Sequence, residues 1–386
     1  MDKLPNNILS DILELLDDES GKNALVCRQW HQILSPRSIR VCAVSIVRVE
    51  FVKWAVQFDL DWHRILCMIV AKSNSLEALQ WACQNGYSLN AYVFEYAAEN
   101  NNLEMLEWLR QNNCPWDENT CAGAASRGHL GALQWLRRNG CPWDVDTCVK
   151  AAQNGHKAVL EWAHANYCPW GVYVCYVAAL NGRLEILQWL RQNGCPWDES
   201  TCTGAARGKH LQVLKWAHEN GCPWDRWISL TAARNGCLEI LKYAHENNCP
   251  WDDETCMYAV DGGNLEVVKY AHEHGCPLSL WASYYAARGN HLDILEYLHA
   301  NNCPWDAITC EEAARHGHLE ALQYARKHGC AWDARVCASA ALNGHLHVLV
   351  WARANDCPWD ANAYILAVKY GQSDVVEWLE ANNCPK

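Results

Sequence analysis

Residues 114–140 read CPWDENTCAGAASRGHLGALQWLRRNG, and this stretch is one copy of a repeating segment. Its opening cysteine recurs at a constant step of 27 residues. A second series, made of Trp or Tyr, keeps the same step from Trp54 to Trp378. Two series with one period over this distance indicate a repeat array. The cysteines of the first series are Cys114, Cys141, Cys168, Cys195, Cys222, Cys249, Cys276, Cys303, Cys330, Cys357 and Cys384.

Each repeat is predicted to form two helices, which we call helix A and helix B. Residues 114–116 form a turn, since Pro fixes φ and lacks an amide hydrogen. Asp117 is a good N-cap with Thr120 three positions later, so helix A begins there. Gly128 breaks the chain before helix B, and Gly140 ends helix B in a left-handed conformation. Helix B is apolar on two faces, which suits a helix packed between neighbours in a stack.

The array accounts for most of the chain. We predict it over residues 44–386, as a half repeat at 44–59 followed by twelve full repeats at 60–383. Residues 1–40 lie outside the period and form a separate small helical domain. No strand-like alternation appears between the helices, so the predicted fold class is all-α, a helix-turn-helix solenoid. In the last repeat Ser373 replaces the usual Leu, which we interpret as the polar face of a terminal cap.

The charge and composition exclude several kinds of function. The chain has a formal net charge of -12 and a pI near 5.8, which argues against nucleic-acid binding and against a polybasic membrane contact. Neither a signal peptide nor an apolar run long enough to span a membrane is visible. We therefore expect a cytoplasmic protein, or a nuclear one, whose 23 cysteines are free thiols in a reducing compartment.

The cysteines invite a metal-site interpretation, which the spacing disfavours. Cys114 and Cys121 are separated by six residues, whereas zinc sites usually place two to four residues between the members of a pair. The second member is replaced by Ser229, Ser283 and Tyr364 in other repeats. A buried core tolerates such replacements, but a tetrahedral metal site does not. We expect the cysteines to be packed as small apolar side chains, without metal and without disulfides between equivalent positions.

The histidines and tryptophans also admit two interpretations each. The recurring histidines are replaced by Arg183, Cys237 and Asn264 in some repeats, so we expect turn residues that bond to the backbone of a neighbouring repeat, not catalytic groups or ligands. The tryptophans of helix B could be stacking platforms for bases, but the acidic charge favours core packing. With no catalytic or phosphate-binding motif, we expect neither an enzyme nor a cofactor. The histidines are His129, His156, His210, His291, His318 and His345.

The sequence AASRGHLGAL at residues 124–133 resembles the ankyrin repeat, and AARHGHLEAL at 313–322 repeats the motif. The resemblance covers residues 44–386 and implies stacked helix pairs that bind another protein. Ankyrin repeats have 33 residues, so these repeats lack six, and the missing part corresponds to the projecting hairpin of ankyrins. The chain looks like the short-unit ankyrin families of giant DNA viruses and some protists. If it is viral, a host-cell cytoplasmic role follows.

Some positions early in helix A vary freely from one repeat to the next. They correspond to Glu118, Asn119, Ala122 and Gly123. In ankyrins this helix lines the concave face, so the resemblance implies a recognition strip there. Relaxed surface drift is the alternative. The residues that we predict to bind a target are Tyr176, Met257, Tyr258, Tyr284 and Tyr285, since aromatic residues dominate interface hot spots.

Residues 4–16 read LPNNILSDILELL and residues 24–33 read ALVCRQWHQI. They resemble the F-box, although Gly21 and Lys22 stand where that family has an aliphatic helix start. The resemblance implies contact with the Skp-type adaptor of a cullin ubiquitin ligase. The alternative is an N-terminal cap of the array. By position, the adaptor-binding residues are Leu4, Pro5, Ile8, Leu9, Ile12, Leu13, Leu25, Val26 and Trp30.

These features together suggest the substrate-recognition subunit of a Skp–cullin–F-box ubiquitin ligase, with the solenoid holding the target. The ubiquitin-transfer chemistry would belong to the partner enzymes. The alternative is an ankyrin-type scaffold or sequestering inhibitor that acts without a ligase. A nucleic-acid binder is disfavoured by charge. Nothing in the sequence identifies the target protein.

Overall fold

The computed structural model describes residues 66–386, and helices are the regular elements of that range. The chain divides into an N-terminal section that ends at Trp197 and a C-terminal section, Asp198–Lys386. Both sections are built from pairs of short helices in the order that the period predicts. The prediction of an all-α repeat solenoid is confirmed for this part of the chain. Residues 1–40 and the half repeat at 44–59 lie outside the described residues.

The N-terminal section contains five described helix pairs, in which odd numbers are helix A and even numbers are helix B. They are α1 (Leu66–Lys72), α2 (Leu76–Gln84), α3 (Ala91–Glu99), α4 (Leu103–Gln111), α5 (Glu118–Ser126), α6 (Leu130–Arg138), α7 (Val145–Asn154), α8 (Lys157–Ala165), α9 (Val172–Leu180) and α10 (Leu184–Gln192). Each helix A packs on its own helix B, and neighbouring A helices from α1 to α9 pack on each other.

The C-terminal section continues the same alternation and the same packing of neighbouring A helices. Its helices are α11 (Glu199–Arg207), α12 (Leu211–Glu219), α13 (Trp227–Arg234), α14 (Leu238–Glu246), α15 (Asp253–Asp261), α16 (Leu265–Glu273), α17 (Leu280–Gly289), α18 (Leu292–Ala300), α19 (Ala307–Arg315), α20 (Leu319–Lys327), α21 (Ala334–Leu342), α22 (Leu346–Ala354), α23 (Ala361–Lys369) and α24 (Ser373–Ala381).

Helix A begins as the sequence predicts. The Asp117 carboxylate accepts a hydrogen bond from the Asn119 amide at 3.1 Å, and Thr120 completes the capping box, which satisfies amides at the helix start that have no intrahelical partner. Ala124 and Ala125 on the same helix are fully buried. These small side chains let neighbouring A helices approach closely along the stack.

Helix B also ends as predicted. Gly140 has a φ of +83°, and the Cys141 amide donates to the Leu136 carbonyl at 3.0 Å. This pattern is the Schellman motif that satisfies the last carbonyls of a helix. The side chain of Asn139 donates to the Trp135 carbonyl at 2.9 Å. The following cysteine is thereby turned into the interior, where Cys141 is fully buried.

Ser373, on which the prediction of a polar cap rests, is exposed at the start of α24, but helix A of the last repeat presents apolar side chains. On α23, Ile365 and Val368 are both 51% exposed. In the preceding repeat, Ala341 occupies the position of Val368 and is fully buried, because the next helix A covers it. The seam between A helices therefore ends uncovered in the described structure.

Candidate functional site

The residues predicted to bind a target all lie on A helices. Tyr176 is on α9 of the N-terminal section, and the other four are on the adjacent helices α15 and α17 of the C-terminal section. All five side chains are partly exposed. The structure therefore brings Met257, Tyr258, Tyr284 and Tyr285 onto one surface, while Tyr176 belongs to the other section.

Three aromatic rings on α17 contact each other at steep angles. The rings of Trp281 and Tyr284 have centroids 5.5 Å apart at 75°, and those of Tyr284 and Tyr285 are 5.0 Å apart at 85°. Edge-to-face pairs of this kind are stabilised by the ring quadrupoles. Trp281 is nevertheless 53% exposed, so the cluster presents an aromatic surface held in a fixed arrangement.

Two tryptophans of this surface are not among the residues predicted from the sequence. Trp227 on α13 and Trp281 on α17 occupy the position of Asn119, two repeats apart, and Trp227 is 49% exposed. Between them, Glu254 of α15 accepts a hydrogen bond from the Arg226 guanidinium at 2.8 Å. The Asn119 position was recognised as variable, and a repeat-by-repeat comparison of it would have found both rings. We call Trp227, Met257, Tyr258, Trp281, Tyr284 and Tyr285 the recognition strip.

Beside the strip, two glutamates of α19 are buried and paired. Arg315 binds Glu311 at 2.6 Å and Glu312 at 3.1 Å. Arg335 of α21 lies 3.2 Å from Glu311. Burial raises the pKa of the Tyr284 hydroxyl, and the Glu312 carboxylate, to which it is hydrogen-bonded, raises it further. The carboxylates thus hold Tyr284 in its neutral form and have their charge compensated within the structure.

Arginines stand at or near the ends of the A helices next to the strip. Arg234 ends α13, lies 3.3 Å from Asp261 and has its guanidinium 5.8 Å from the centre of the Tyr258 ring. Arg288 of α17 lies 5.9 Å from the centre of the Tyr285 ring. In the part of the chain that the structure describes, Arg234 is paired with a carboxylate and Arg288 is not.

A smaller aromatic surface exists in the N-terminal section. The rings of Tyr173 and Tyr176 on α9 are stacked, 5.4 Å apart at 22°. On α3, burial and the nearby Glu99 carboxylate raise the pKa of Glu95. Tyr173 is one more exposed ring at the position of Asn119. No acid–arginine arrangement like that beside Tyr284 accompanies these tyrosines among residues 66–197.

The packing interpretation of the cysteines is confirmed for the described series. These side chains are buried, and the thiol of each reaches the carbonyl of the helix A N-cap in the preceding repeat. Examples are Cys168 to Asp144 at 3.3 Å and Cys276 to Asp252 at 2.9 Å. The described cysteines are free thiols. No group of three or more metal-ligating side chains that could hold an ion lies within residues 66–386.

The interpretation of the histidines is confirmed where their bonds are seen. The Nε2 atom of His156 lies 3.1 Å from the Ser126 carbonyl of the preceding repeat. His318 and His345 make the same contact with Arg288 and Arg315, at 3.0 and 3.1 Å. Since a carbonyl only accepts, Nε2 carries the proton. These histidines link the end of one helix A to the start of the helix B in the following repeat.

The prediction that the helix B tryptophans form the core is wrong in degree. Trp162 is half-buried, while Leu160 beside it is fully buried. Its ring meets Trp143 of the Cys-Pro-Trp turn at 5.8 Å, edge to face, and the Arg137 guanidinium lies 4.2 Å from the centre of the Trp143 ring. In other repeats a histidine replaces the arginine, as in the stacked His218–Trp224 pair. The rings form a partly exposed seam on helix B, and cations cover part of it.

The nine residues predicted to bind the adaptor, from Leu4 to Trp30, lie outside the described residues. No helix between residues 66 and 386 is long and apolar enough to cross a membrane. The cytoplasmic location stays a prediction.

Comparison with protein-family models supports the repeat assignment. The family model for ankyrin repeats (3 copies) matches residues 229–309. The ankyrin repeat domain of human ASB11 is similar at 18% identity with a TM-score of 0.35, over 41% of this chain and 84% of that chain. The pentatricopeptide repeat protein PPR10, solved with an 18-nt psaJ RNA element, is similar at 12% identity with a TM-score of 0.40. That match covers 90% of this chain and 63% of PPR10, so it spans less than two thirds of that protein. No curated protein matches the chain.

Residues 229–309, which match the ankyrin model, include the whole recognition strip except Trp227. Ankyrin repeats are protein-interaction modules, so the match indicates a protein–protein interaction role for this part of the chain.

Proposed function

We propose that the chain is a receptor that holds a target protein on the recognition strip of its C-terminal section. The observation that carries this proposal is the partly exposed ring cluster of Trp281, Tyr284 and Tyr285. Trp, Tyr and Arg are the residues most enriched in interface hot spots, and Arg288 lies beside the Tyr285 ring. The rings are also held rigidly by each other and by Glu312, which lowers the entropy cost of binding.

A paired substitution tests the strip. We expect the double variant Trp281→Ala and Tyr285→Ala to lose proteins that proximity labelling finds with the wild-type chain in cells. Because Trp281 is half exposed, the variant is expected to keep its helical circular dichroism. Tyr167→Ala is the control, since that ring is 92% exposed but belongs to a turn of the N-terminal section and is not part of the strip. Equal labelling by all three chains would contradict the proposal.

We further propose that residues 1–40 dock the receptor on a Skp-type adaptor of a cullin ubiquitin ligase. The F-box resemblance of residues 4–16 and 24–33 supports this step. Catalysis would then reside in the ligase partners, and the chain itself is proposed to have no enzymatic activity and no cofactor. The solenoid would present the bound target for ubiquitin transfer.

Co-precipitation with the adaptor tests the docking step. The full chain is expected to recover the adaptor, and the double variant Leu4→Ala and Pro5→Ala is expected to lose it. Asn6→Ala is a control in the same segment, because the resemblance gives that polar position no adaptor contact. If the wild type and the double variant recover equally little adaptor, the ligase role is excluded.

The second candidate is a scaffold or inhibitor that sequesters its target. It shares the strip, so the two candidates differ only in residues 1–40. A chain that binds its target through the strip but recovers no adaptor would favour this candidate. The lifetime of the target separates them as well, since only a ligase receptor shortens it.

A further inference from the structure

We infer that the recognition strip selects a polypeptide segment in which a carboxylate side chain lies close to an apolar or aromatic one. Arg288 would receive the carboxylate, and Trp281 with Tyr285 would receive the apolar group. The inference rests on the proposed function and specifies the chemistry of the target at the same surface.

Most arginines near the strip already have carboxylate partners. Arg226 pairs with Asp252 and Glu254, at 2.9 and 2.8 Å. Arg234 pairs with Asp261. Arg315 at the end of α19 binds the two buried glutamates of its own helix. A ligand carboxylate would have to displace an existing partner to reach any of these guanidinium groups.

Arg288 differs from these arginines. It is exposed, and no carboxylate of residues 66–386 pairs with it. Its guanidinium stands 5.9 Å from the centre of the Tyr285 ring. The Arg288 carbonyl accepts a hydrogen bond from His318 at 3.0 Å, so the backbone at the end of α17 is fixed. The side chain therefore offers an uncompensated positive charge at a defined edge of the ring cluster.

The acidic residues of this surface do not favour a basic target. The Glu312 side chain is 4% exposed and is held by Arg315. Glu311 is bound by two arginines and accepts a hydrogen bond from the Ser339 hydroxyl at 3.3 Å. A cation from a target would meet Arg315 and Arg335 before it met these carboxylates. Near the end of α17, beside Tyr284 and Tyr285, the unmatched charge is thus positive, although the chain as a whole is acidic.

The rings determine that an apolar side chain of the target lies near its carboxylate. A guanidinium–carboxylate pair gains strength where neighbouring apolar surface removes water. Tyr285 supplies that surface beside Arg288, and Trp281 extends it through Tyr284. An apolar side chain of the target would complete it. An acidic residue alone would remain in water and gain little. The two features together predict a carboxylate within a few residues of a large apolar side chain.

Arg207 offers a matched control within the same section. It occupies the same position of its repeat as Arg234 and Arg315, is exposed, and also lacks a carboxylate partner among the described residues. Its helix, α11, carries Thr203 and Gly204 where α17 carries Tyr284 and Tyr285. Three repeats of stacked helices separate Arg207 from Arg288, roughly 25–30 Å. An extended heptapeptide reaches roughly 23–25 Å, so it cannot easily engage both arginines.

The experiment uses phage-displayed random heptapeptides selected on the full-length chain. The expected result is enrichment of peptides that contain Asp or Glu within three residues of Leu, Ile, Phe or Trp. Synthetic copies are then measured by fluorescence anisotropy. Arg288→Ala is expected to weaken their binding about 10- to 100-fold, as for truncation of one partner of a desolvated charge pair. Arg288→Lys is expected to weaken peptide binding by a smaller factor, and Arg207→Ala is expected to leave it unchanged.

A double-mutant cycle, with one change in the peptide and one in the chain, tests the contact between Arg288 and the peptide carboxylate. Replacing the peptide carboxylate by its amide, Asp to Asn or Glu to Gln, is expected to weaken binding to the wild-type chain. The same replacement is expected to have little further effect with Arg288→Ala, because both changes remove one interaction. Additive losses would contradict the contact between Arg288 and the carboxylate. Circular dichroism of each variant is expected to match the wild type, since Arg288 is exposed.

The outcomes separate this inference from the proposed function. One outcome is that selected peptides bind the wild-type chain but not the double variant Trp281→Ala and Tyr285→Ala. If those peptides lack acidic residues, or bind Arg288→Ala as tightly as the wild type, the inference is wrong and the strip remains a binding surface. If the wild-type chain enriches no peptide over that double variant, both fail. A twelve-nucleotide uridine RNA that binds the wild-type chain more tightly than the selected peptides, and depends on Arg288, would also overturn the inference.

Discussion

At the scale of single residues, the cysteine that opens each repeat has a specific task. Its thiol lies inside the stack and reaches the N-cap carbonyl of the preceding repeat, as Cys114 does with Asn90 at 3.4 Å. Burial raises the pKa of Cys114 to about 12. In helix A, the thiol contact with Cys141 and burial raise the pKa of Cys121 far above its usual range. The thiols of Cys114 and Cys121 are therefore protonated, apolar and slow to react in the folded chain.

A pH dependence of stability follows from these thiols. Unfolded cysteines have pKa values near 8.5, and Cys114 keeps its proton in the folded state until about pH 12. The stabilisation is complete below about pH 8.5 and is lost as the pH rises toward 12, since the unfolded state then binds fewer protons. We expect about 1–2 kcal/mol less stability per such thiol at pH 10. Urea unfolding with reductant at pH 7, 9 and 10 measures it.

The control for that measurement is Cys114→Ala. The variant is expected to be less stable at pH 7, because a buried sulfur and its weak hydrogen bond are removed. It is also expected to lose less stability than the wild type between pH 7 and 10. If the free energy of unfolding falls equally with pH in both chains, Cys114 is not the source of the pH dependence.

At the scale of elements, the link between consecutive repeats depends on a close approach at a glycine. Gly128 has a φ of +76°, and a Cβ placed on it would lie 2.5 Å from Nδ1 of His156 in the next repeat. That histidine holds the Ser126 carbonyl. Gly140 at the end of helix B has a similar φ of +83°, but a Cβ there would meet nothing within 4 Å. The turn at Gly140 needs glycine only for its left-handed backbone. The turn at Gly128 needs it also because His156 of the next repeat leaves no room for a Cβ.

Two alanine substitutions separate these requirements. Gly140→Ala is expected to cost about 1 kcal/mol, the strain of a left-handed residue with a Cβ. Gly128→Ala is expected to cost about 2–3 kcal/mol, because His156 must also move and give up its hydrogen bond. Denaturant unfolding of the two variants gives the difference.

Removing the histidine checks the cause. In a His156→Ala background, Gly128→Ala is expected to cost no more than Gly140→Ala does in the wild type. An undiminished cost in that background would mean that the histidine is not what the new methyl group meets.

At the scale of the whole molecule, stability is expected to be distributed along the stack. Within the C-terminal section, each A helix contacts its own helix B and the neighbouring A helices, so the last repeat has one neighbouring repeat where an internal repeat has two. On α23 the seam is open, with Ile365 and Val368 half exposed. The last repeat of the C-terminal section therefore lacks the burial that stabilises the repeats before it.

Hydrogen exchange can detect this gradient. Amides of α23 and α24 are expected to exchange about 10- to 100-fold faster than those of α19 and α20, since one missing neighbour removes roughly 1.5–3 kcal/mol of local stability. Mass spectrometry of peptic fragments measures it. Val350→Ala, which alters an exposed side chain of α22, is a control that is expected to leave the gradient unchanged. Uniform protection across the section would contradict nearest-neighbour stabilisation.

The residues of the recognition strip were only partly predictable from the sequence. The variable positions of helix A located Tyr284 and Tyr285, because a position that breaks the period is free of the packing that imposes it. They did not single out Trp281, nor Arg288 as an unpaired cation. Whether an arginine finds a carboxylate depends on the residues that neighbouring repeats place beside it, as the Arg335–Glu311 contact shows. Such arginine–carboxylate pairs do not recur from repeat to repeat, so the period does not predict them.

The amino-acid sequence by itself determined the repeat, its two helices and the burial of its cysteines. Helix starts such as Asp117 and ends such as Gly140 are local, and burial recurs with the period because every repeat meets the same neighbours. Only the tertiary structure decided how far each ring is covered, so that Trp162 is half-buried while Leu160 is fully buried. It also decided which charges compensate each other, because side chains from adjacent repeats meet only when the helices stack.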